Sequence, residues 1–344
     1  MTPPPPPGGA GALKPLALTM GEPAGIGGEI TLKAWLDRDQ GLPPFVALDD
    51  PARLEALAAH LGLEVPVRPV ENLDEAASVF AAALPALPRP LDVEAVPGKP
   101  DTGNAGAVIG SIEAAVALVR AGQARAVVTN PIHKGTLYEA GFDYPGHTEF
   151  LAKLAGITTR PVMMLVSDEL KVVPVSVHES LAAAVQGLKL EDIVTTGEIT
   201  ALALRRDFAI DRPRLAVAGL NPHAGEGGAM GREELDIIEP AIARLRERNV
   251  DAFGPVSPDA LFTAGARSRY DAALCMYHDQ ALIPIKALDF DGAVNVTLGL
   301  PFVRASPDHG TGLDIAGRGL ASASSLIAAM KLADRMASFR DAAA

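Results

Sequence analysis

The chain has 344 residues, of which 48% are hydrophobic and 21% charged, and this composition excludes a disordered or fibrous protein. Its 42 acidic and 30 basic side chains give a formal net charge of −12 at pH 7, and aromatic residues make up only 4%. Because an acidic surface repels phosphate backbones and few rings are available for base stacking, generic nucleic-acid binding is excluded. At about 150 residues per domain, the length predicts two domains or one large one.

The N-terminal segment and the single cysteine indicate the compartment. Residues 1–12 are rich in proline and glycine and lack the basic and apolar regions of a signal peptide, so we expect a disordered tail there. No uncharged apolar run reaches the ~18–20 residues that a membrane helix needs. Cys275 lies in an apolar run and is expected to be a buried small hydrophobe in a reducing compartment. The sequence therefore predicts a cytoplasmic protein without a membrane segment.

Short apolar runs that stop at turn residues alternate with helical stretches along the chain. The runs predict strands at 16–20, 125–129, 162–166, 171–177, 215–219, 272–277 and 293–298. The helical patterns lie at 26–36, 105–121, 191–205 and 232–248. The segment 76–100, rich in alanine and proline, predicts no more than a helix running into a loop. This alternation predicts an α/β fold with a largely parallel sheet.

Three histidines, His178, His223 and His278, each follow a predicted strand. The carboxyl ends of parallel strands meet at one edge of a sheet, so these imidazoles could converge there and hold a catalytic divalent metal such as zinc. Histidines satisfied by backbone groups at strand ends are an equally good interpretation. Asp279, beside His278, could act as a ligand or orient the imidazole.

Two glycine-rich turns each admit two interpretations. Residues 21–28 join the first predicted strand to its helix and resemble a phosphate cradle, although they match neither GxGxxG nor a Walker A sequence. A tight turn with close helix packing explains them as well. Residues 225–231, next to His223, are expected to form a flexible loop over a site rather than a phosphate cradle.

Two isolated cations and one amide complete the candidates that the residues themselves suggest. Lys286 and Arg304 follow apolar runs in an acidic chain, a setting that suits recognition of a phosphate or carboxylate. A lysine with its stem along apolar surface and a surface arginine are the alternatives. Asn295 is a polar residue inside a predicted strand, where it either satisfies a neighbour or meets a ligand.

Four motifs, taken together and in this order, resemble a known family. They are TNPIHK at 129–134, GHTEF at 146–150, GLNPHAGE at 219–226 and YHDQ at 277–280. Together they are similar to the PdxA family of 4-hydroxythreonine-4-phosphate dehydrogenases, over nearly the whole chain. The resemblance implies NAD-dependent oxidative decarboxylation of 4-phosphooxy-L-threonine to 3-amino-2-oxopropyl phosphate, in pyridoxal 5'-phosphate biosynthesis. It also implies a divalent metal ion in each site, whether zinc, magnesium or cobalt.

Carried over motif by motif, the resemblance implies metal ligands and substrate contacts. The implied metal ligands are His178, His223 and His278. The implied substrate contacts are His147, Thr148, Lys286, Asn295 and Arg304. Lys286 is also the candidate proton relay, and a purely electrostatic role is its alternative.

The segment 308–319 carries a second resemblance, to the adenosine-binding loop of isopropylmalate dehydrogenases. It implies NAD contacts at Gly310, Thr311 and Asp314, in a superfamily that binds NAD without the Rossmann fingerprint. The implied fold is a two-domain α/β protein like isocitrate/isopropylmalate dehydrogenase, with mostly parallel sheets and a cleft between the domains. The expected domains are a cofactor-side domain at 13–128 plus 300–344, and a metal-, substrate- and dimerisation domain at 129–299.

The resemblance further implies a small phosphorylated substrate and a homodimer whose active site lies at the subunit interface. One arrangement of such a site takes His178 and His278 from different subunits. Two alternatives for the function stay open. A paralogous metal- and NAD-dependent dehydrogenase would use the same histidines on another phosphorylated hydroxy acid or a cyclic diol. A phosphate-binding protein without activity would have no use for three histidines and an NAD-type loop.

Overall fold

The computed structural model describes residues 14–144 and 146–343, so the tail expected at 1–12 lies outside the described residues. The chain divides into two compact units. Unit 1 runs to Arg160 and resumes from Leu300 to Ala342, and unit 2 is Pro161–Gly299. The second boundary coincides with the one expected from the sequence, whereas the first falls after Arg160 rather than after residue 128. Segment 129–160 groups with unit 1 because its strand and helices pack into that unit's core.

The strands are named β1 to β12 in chain order. They are β1 Leu16–Thr19, β2 Phe45–Asp49, β3 Val67–Pro69, β4 Leu84–Pro88, β5 Val127–Thr129, β6 Val162–Val166, β7 Lys171–Pro174, β8 Arg214–Ala218, β9 Asp251–Val256, β10 Ala272–Cys275, β11 Val294–Leu298 and β12 Arg304–Pro307. Every strand predicted from an apolar run is present, several of them shorter than expected. The segment 76–100 contains a strand, β4, that its proline-rich sequence did not reveal.

Unit 1 contains a parallel sheet in the strand order β3-β4-β2-β1-β5-β12. β1 and β2 are buried along their whole length, which is why each reads as a continuous apolar run. The register pairs Thr19 of β1 with Thr129 of β5. The carboxyl ends of these neighbouring strands therefore lie at the same edge of the unit 1 sheet.

Unit 2 contains a mixed sheet in the strand order β11-β6-β7-β10-β8-β9. β6 is antiparallel to both of its neighbours, whereas β7, β10, β8 and β9 run parallel. β10 is the central strand of the parallel part, with β7 on one side and β8 on the other. The α/β class with mostly parallel sheets that the sequence predicted is confirmed.

Helices cover both sheets. Those of unit 1 are α1 Gly27–Leu36, α2 Pro51–Leu61, α3 Leu73–Val79, α4 Ala105–Arg120, α5 Lys134–Glu139, α6 His147–Ala155 and α13 Ser324–Ala343, with 3-10 turns at Arg38–Gln40 and Thr102–Asn104. Those of unit 2 are α7 Leu181–Gly187, α8 Leu190–Phe208, α9 Glu239–Glu247, α10 Pro258–Leu261, α11 Ala264–Arg267 and α12 His278–Leu288, with a 3-10 segment Pro222–Gly228 and a π-helical turn Glu234–Ile238. The helix expected at 232–248 is thus divided, because Pro240 at the start of α9 cannot donate a backbone hydrogen bond to the preceding turn.

Helix α4 forms the centre of the unit 1 core. The stretch Thr102–Arg120 is long and apolar enough to cross a membrane by length and composition, a test that core helices also pass. In this structure α4 packs against β1 and β2, and Ile112 is buried in the core. Ser111 donates a hydrogen bond to the Leu48 carbonyl (2.7 Å) and accepts one from the Met20 amide (3.0 Å). These contacts account for α4 as a core helix.

Candidate active site

The three candidate histidines follow three adjacent strands of unit 2. His178 comes after β7, His278 opens α12 directly after β10, and His223 follows β8. Since β7 and β8 both pair in parallel with β10, their carboxyl ends lie side by side at one edge of the sheet. The topology therefore brings the three histidine-bearing turns to neighbouring positions.

His178 and His278 contact the same cavity. Their ring centroids lie 6.1 Å apart, with the ring planes inclined by 44°. The cavity has a volume of about 440 Å³ and is lined by Ser176, Val177, His178, Glu179, Ser180, Leu181, Ala184, Tyr277, His278 and Asp279. Asp279 Oδ1 lies 2.7 Å from Nδ1 of His278, which leaves Nε2 of that ring to face a ligand. Both histidines belong to one chain, which favours an arrangement that takes them from the same subunit.

His223 lies in a left-handed turn at the end of β8. Five consecutive residues from His223 to Gly227 have positive φ, between 44° and 76°, which is rare for residues with a side chain. Glu234 holds the entry to this turn, accepting hydrogen bonds from the backbone amides of Leu220 (2.8 Å) and Asn221 (2.7 Å). The segment expected to be a flexible loop is therefore a turn whose backbone is fixed at its base.

The donor set at this edge fits a divalent metal by its chemistry. Neutral imidazoles at three neighbouring strand ends are the ligands that zinc and related ions accept. As placed, His178 and His278 form a pair, and among residues 14–144 and 146–343 no group of three or more His, Cys, Asp or Glu side chains is arranged to hold an ion. This edge of the unit 2 sheet therefore offers two adjacent nitrogen ligands, His178 and His278. His223 is a further nitrogen donor, at the end of the neighbouring strand β8.

A second group of candidates forms a basic cluster in unit 1. Arg304 of β12 is 4% exposed, and its Nη2 donates to Oγ1 of Thr129 at the end of β5 (2.6 Å). Burial lowers the pKa of Arg304 to about 10, so the guanidinium still carries its charge at neutral pH. The surface arginine that the sequence left as an alternative is excluded, because this cation is held inside the protein.

His147, the first residue of α6, lies close to Arg304 and Lys134. Burial, and then the charges of Arg304 and Lys134, hold the pKa of His147 well below its ordinary value. A Cβ placed on Gly146 would come within 3.3 Å of Lys134 Nζ, so this amine lies over the start of α6, where Thr148 is the second residue. A neutral imidazole, two cations and the N-terminus of a helix together suit an anion. Lys134 is a member of this cluster that we did not select from the sequence, although it lies inside the TNPIHK motif.

Lys286 and Asn295, the remaining substrate candidates, lie in unit 2. Lys286 is half-buried in the last turn of α12, with Nζ 5.8 Å from the ring centroid of Phe290. Asn295 is half-buried in β11 and pairs with Leu165 of β6. Lys286 shares its helix with His278, about two turns away. Asn295 occupies a position inside a strand, as expected.

The segment expected to contact NAD packs against the first glycine-rich turn. The Ile26 amide donates to the Thr311 carbonyl (2.9 Å), and a Cβ on Gly25 would lie 2.7 Å from that same oxygen. Glycine is therefore required at position 25 for this approach, which supports the close-packing interpretation of residues 21–28. Gly310 and Asp314 are exposed on the segment, beside the half-buried Thr311.

Comparison with known proteins assigns the family. The chain matches the family model described as pyridoxal phosphate biosynthetic protein PdxA over residues 41–333. The chain belongs to the PdxA family. It is 56% identical over 331 residues to the 4-hydroxythreonine-4-phosphate dehydrogenase of Methylorubrum populi, covering 94% of this chain and 95% of the relative. The resemblance inferred from the four motifs is thus confirmed.

Two solved structures extend the comparison. A crystal structure of 4-hydroxythreonine-4-phosphate dehydrogenase from Klebsiella pneumoniae has 37% identity and a TM-score of 0.85, covering 94% of this chain and 99% of its own. A terephthalate 1,2-cis-dihydrodiol dehydrogenase from Burkholderia xenovorans has 28% identity and a TM-score of 0.63, covering 94% and 98%. The two-domain α/β fold expected from the sequence is confirmed by these matches.

Proposed function

We propose that this PdxA-family chain is an NAD-dependent oxidoreductase that oxidatively decarboxylates 4-phosphooxy-L-threonine to 3-amino-2-oxopropyl phosphate. Relatives at more than half identity over nearly the whole chain carry the name 4-hydroxythreonine-4-phosphate dehydrogenase. The observation that carries the proposal is the pairing of His178 with His278, 6.1 Å apart at adjacent strand ends. A catalytic zinc takes three protein ligands, of which this pair would supply two, whereas histidines that merely satisfy backbone groups have no reason to share a cavity.

His178, His223 and His278 are the proposed ligands of a divalent metal ion. When bound there, zinc, magnesium or cobalt would supply Lewis-acid polarisation of the substrate's hydroxyl oxygen and of the carbonyl that replaces it. The protein's part is to present imidazole nitrogens, and Asp279 fixes the His278 ring through Nδ1. The exposed cavity beside the pair leaves room for a ligand from solution.

The basic cluster of unit 1 is the proposed contact surface for the substrate's anionic groups. Arg304 supplies a buried, pre-oriented fork of donors, and Thr129 holds it in place. His147 stays neutral beside two cations, so it donates or accepts a hydrogen bond without adding charge. Thr148 adds a hydroxyl in the first turn of α6. Lys134 contributes the second positive charge of the cluster.

Lys286 and Asn295 have proposed roles at the reacting end of the substrate. A lysine amine beside an aromatic ring is positioned to take up or return a proton, or to stabilise a developing negative charge. Asn295 offers both a donor and an acceptor from a rigid strand. Both groups would help to orient the reacting end of the substrate.

The segment containing Gly310, Thr311 and Asp314 is the proposed adenosine-side contact for NAD, which accepts the hydride when bound. Its packing against Gly25 and Ile26 fixes its backbone. The exposed Asp314 carboxylate suits the ribose hydroxyls of NAD and disfavours the 2′-phosphate of NADP.

A cytoplasmic homodimer is the proposed working form. Unit 2 exposes large apolar side chains: Leu181 lines the histidine cavity at 60% exposure, Ile283 (66%) lies on α12, and Phe290 (70%) follows that helix. Exposed apolar groups of this size are typical of surfaces that a second subunit covers. The proposed subunit interface would thus lie beside the metal ligands.

The experiment that tests the proposed activity follows NADH formation with a panel of substrates. We expect turnover of 4-phosphooxy-L-threonine with release of carbon dioxide, and little turnover of L-threonine, which lacks the phosphate that the basic cluster binds. The likeness to a cis-dihydrodiol dehydrogenase makes a cyclic diol the second substrate to test. Preferred oxidation of the diol would contradict the proposed substrate while leaving the metal and NAD chemistry in place.

A further inference from the structure

The segment that contains the proposed NAD contacts depends on other elements for its position. This cofactor segment, residues 308–319, lies between β12 and α13, and its described residues form turns and bends but no helix or strand. Backbone bonds close those turns, from the Ile315 amide to the Gly312 carbonyl (3.1 Å) and from the Arg318 amide to the Ile315 carbonyl (3.2 Å). Such bonds fix only the local bends, so contacts with other elements set where the cofactor segment lies.

The far end of the cofactor segment is held by an ion pair of α1. Glu29 is fully buried, and its Oε1 accepts hydrogen bonds from the Ala321 amide (2.9 Å) and from Lys33 Nζ (2.8 Å). Lys33 Nζ also donates to the carbonyls of Gly319 (2.9 Å) and Ala321 (2.6 Å). The ammonium group thus has an acceptor for each of its three donors. Together the two side chains fix three backbone groups at this end of the segment.

Helix α1 also holds the near end of the cofactor segment. The Ile26 amide, directly before α1, donates to the Thr311 carbonyl (2.9 Å). Ile26 and Lys33 are seven residues apart, about 10 Å along a helix axis. Most of α1 is buried, so it is a fixed part of the packed interior of unit 1. One helix therefore sets the separation of the two attachments, with Thr311 at the first of them and Asp314 between them.

We propose that Glu29 and Lys33 are positioning residues for NAD, which act by fixing the far end of the cofactor segment to α1. This inference rests on the proposed NAD contacts. Replacing a buried ion pair by apolar side chains of similar volume is often neutral for stability. Apolar side chains would not supply the directed bonds to Gly319 and Ala321, so the pair serves the placement of the segment.

NAD binding to the full-length chain tests the proposal. The dissociation constant is measured by titration calorimetry, and the stability of the same samples is measured by urea unfolding. We expect Lys33→Met to bind NAD about 3- to 30-fold more weakly than the unmodified chain, the range for residues that act on a site without touching the ligand. In initial-rate measurements KM for NAD should rise by the same factor, while kcat and KM for the phosphorylated substrate stay within about twofold.

The matched control is Arg125→Met in the same unit. Arg125 is also a half-buried cation, and its Nε lies 2.9 Å from Oδ1 of Asp334 on α13, so its ion pair does not involve the cofactor segment. We expect this variant to lose stability while its NAD affinity stays within about twofold of the unmodified chain. An NAD affinity that falls equally in Lys33→Met and Arg125→Met would mean that the loss follows stability alone, and would overturn the proposal.

The double variant Glu29→Gln/Lys33→Met keeps the test available if Lys33→Met does not fold. It leaves no unpaired buried charge, and the new amide oxygen can still accept from the Ala321 amide, but the bonds to the Gly319 and Ala321 carbonyls are removed. Its NAD affinity should fall within the same range. Unchanged affinity in whichever of the two variants folds overturns the proposed role. Failure of the unmodified chain to bind NAD would instead contradict the proposed function, and with it the inference.

Discussion

The three histidine-bearing turns of unit 2 and the basic cluster of unit 1 differ in which part of the residue is held in place. In the first the backbone is fixed, and in the second the side chain is fixed. His178 and His223 are exposed on turns, and it is the backbone beneath them that is fixed, by Ser176, Gln280 and Glu234. Arg304 is buried, with its side chain itself held by Thr129. Exposed ligands on a fixed backbone can rotate around an ion, whereas a buried guanidinium is already oriented for an anion. The comparison teaches that the metal ligands need a positioned backbone and the anion contacts need positioned side chains.

Removing one histidine of the pair should have the largest effect. We expect His278→Ala to lose bound metal and to slow oxidation about a thousandfold or more, because the Lewis acid supplies several kcal/mol of transition-state stabilisation. Metal content is measured by elemental analysis and activity by NADH formation. His60→Ala, an exposed histidine of unit 1, is the control and should keep its metal. Retained metal and full activity in His278→Ala would show that the histidines of unit 2 do not hold a catalytic metal.

Replacing Arg304, the buried cation, tests whether the basic cluster of unit 1 binds an anion. Arg304→Met should lower kcat/KM for the phosphorylated substrate about 10- to 100-fold, the value of one or two charge-assisted hydrogen bonds. Metal content should not change. Arg120→Met, an exposed arginine of α4 in the same unit, should leave kcat/KM unchanged. An Arg304→Met variant that keeps its substrate affinity would show that the basic cluster serves the fold rather than an anion.

The lowered pKa of His147 predicts a pH dependence of stability that His147→Gln should remove. The folded protein holds this imidazole neutral, while the unfolded chain protonates it below about pH 6.5. The stabilisation is therefore fully present above that pH and is lost as the pH falls, by up to about 1.4 kcal/mol for each pH unit. Urea unfolding at pH 7 and pH 5 measures the difference between the two proteins. Parallel pH profiles would contradict the buried, neutral imidazole.

Asp314→Ala should give the smallest change. One exposed carboxylate in contact with ribose hydroxyls is worth about three- to tenfold in KM for NAD, with little change in KM for the substrate. Initial rates at varied NAD and NADP measure this effect and the preference between the two cofactors. A larger rise in KM for the substrate than for NAD would move Asp314 from the cofactor contact to the substrate side.

The sequence predicted the strands that precede the three histidines because those strands are continuous apolar runs ended by turns. β6 was predicted with its observed bounds, whereas β12 was missed because it contains Arg304 and a proline and has no apolar pattern. The short strands β3 and β4 lie among prolines and gave no periodic signal. Burial on both faces made most of the predicted strands readable as apolar runs, although β2, which is such a run, was not among the predicted strands.

The sequence also identified the pairing of His178 with His278 as a possibility, but spacing alone could not show it. Two residues of the site were overlooked for a physical reason. Gln280 lies inside the YHDQ motif, and its side chain bonds the Met276 amide and the Gly219 carbonyl, contacts that no local pattern reveals. Lys134 was overlooked because its partner His147 comes from another helix. A polar residue on the buried face of a helix is the one signal that could have marked Gln280.

Metal removal and restoration tests the central claim most directly. The chain is freed of metal with a chelator, and the rate of NADH formation from 4-phosphooxy-L-threonine is measured while zinc, magnesium or cobalt is added back. We predict no activity without metal, recovery that saturates at a single ion per chain, and no recovery in His178→Ala. Full activity of the metal-free chain would contradict the proposed metal-dependent reaction, because the paired histidines would then have no part in the chemistry.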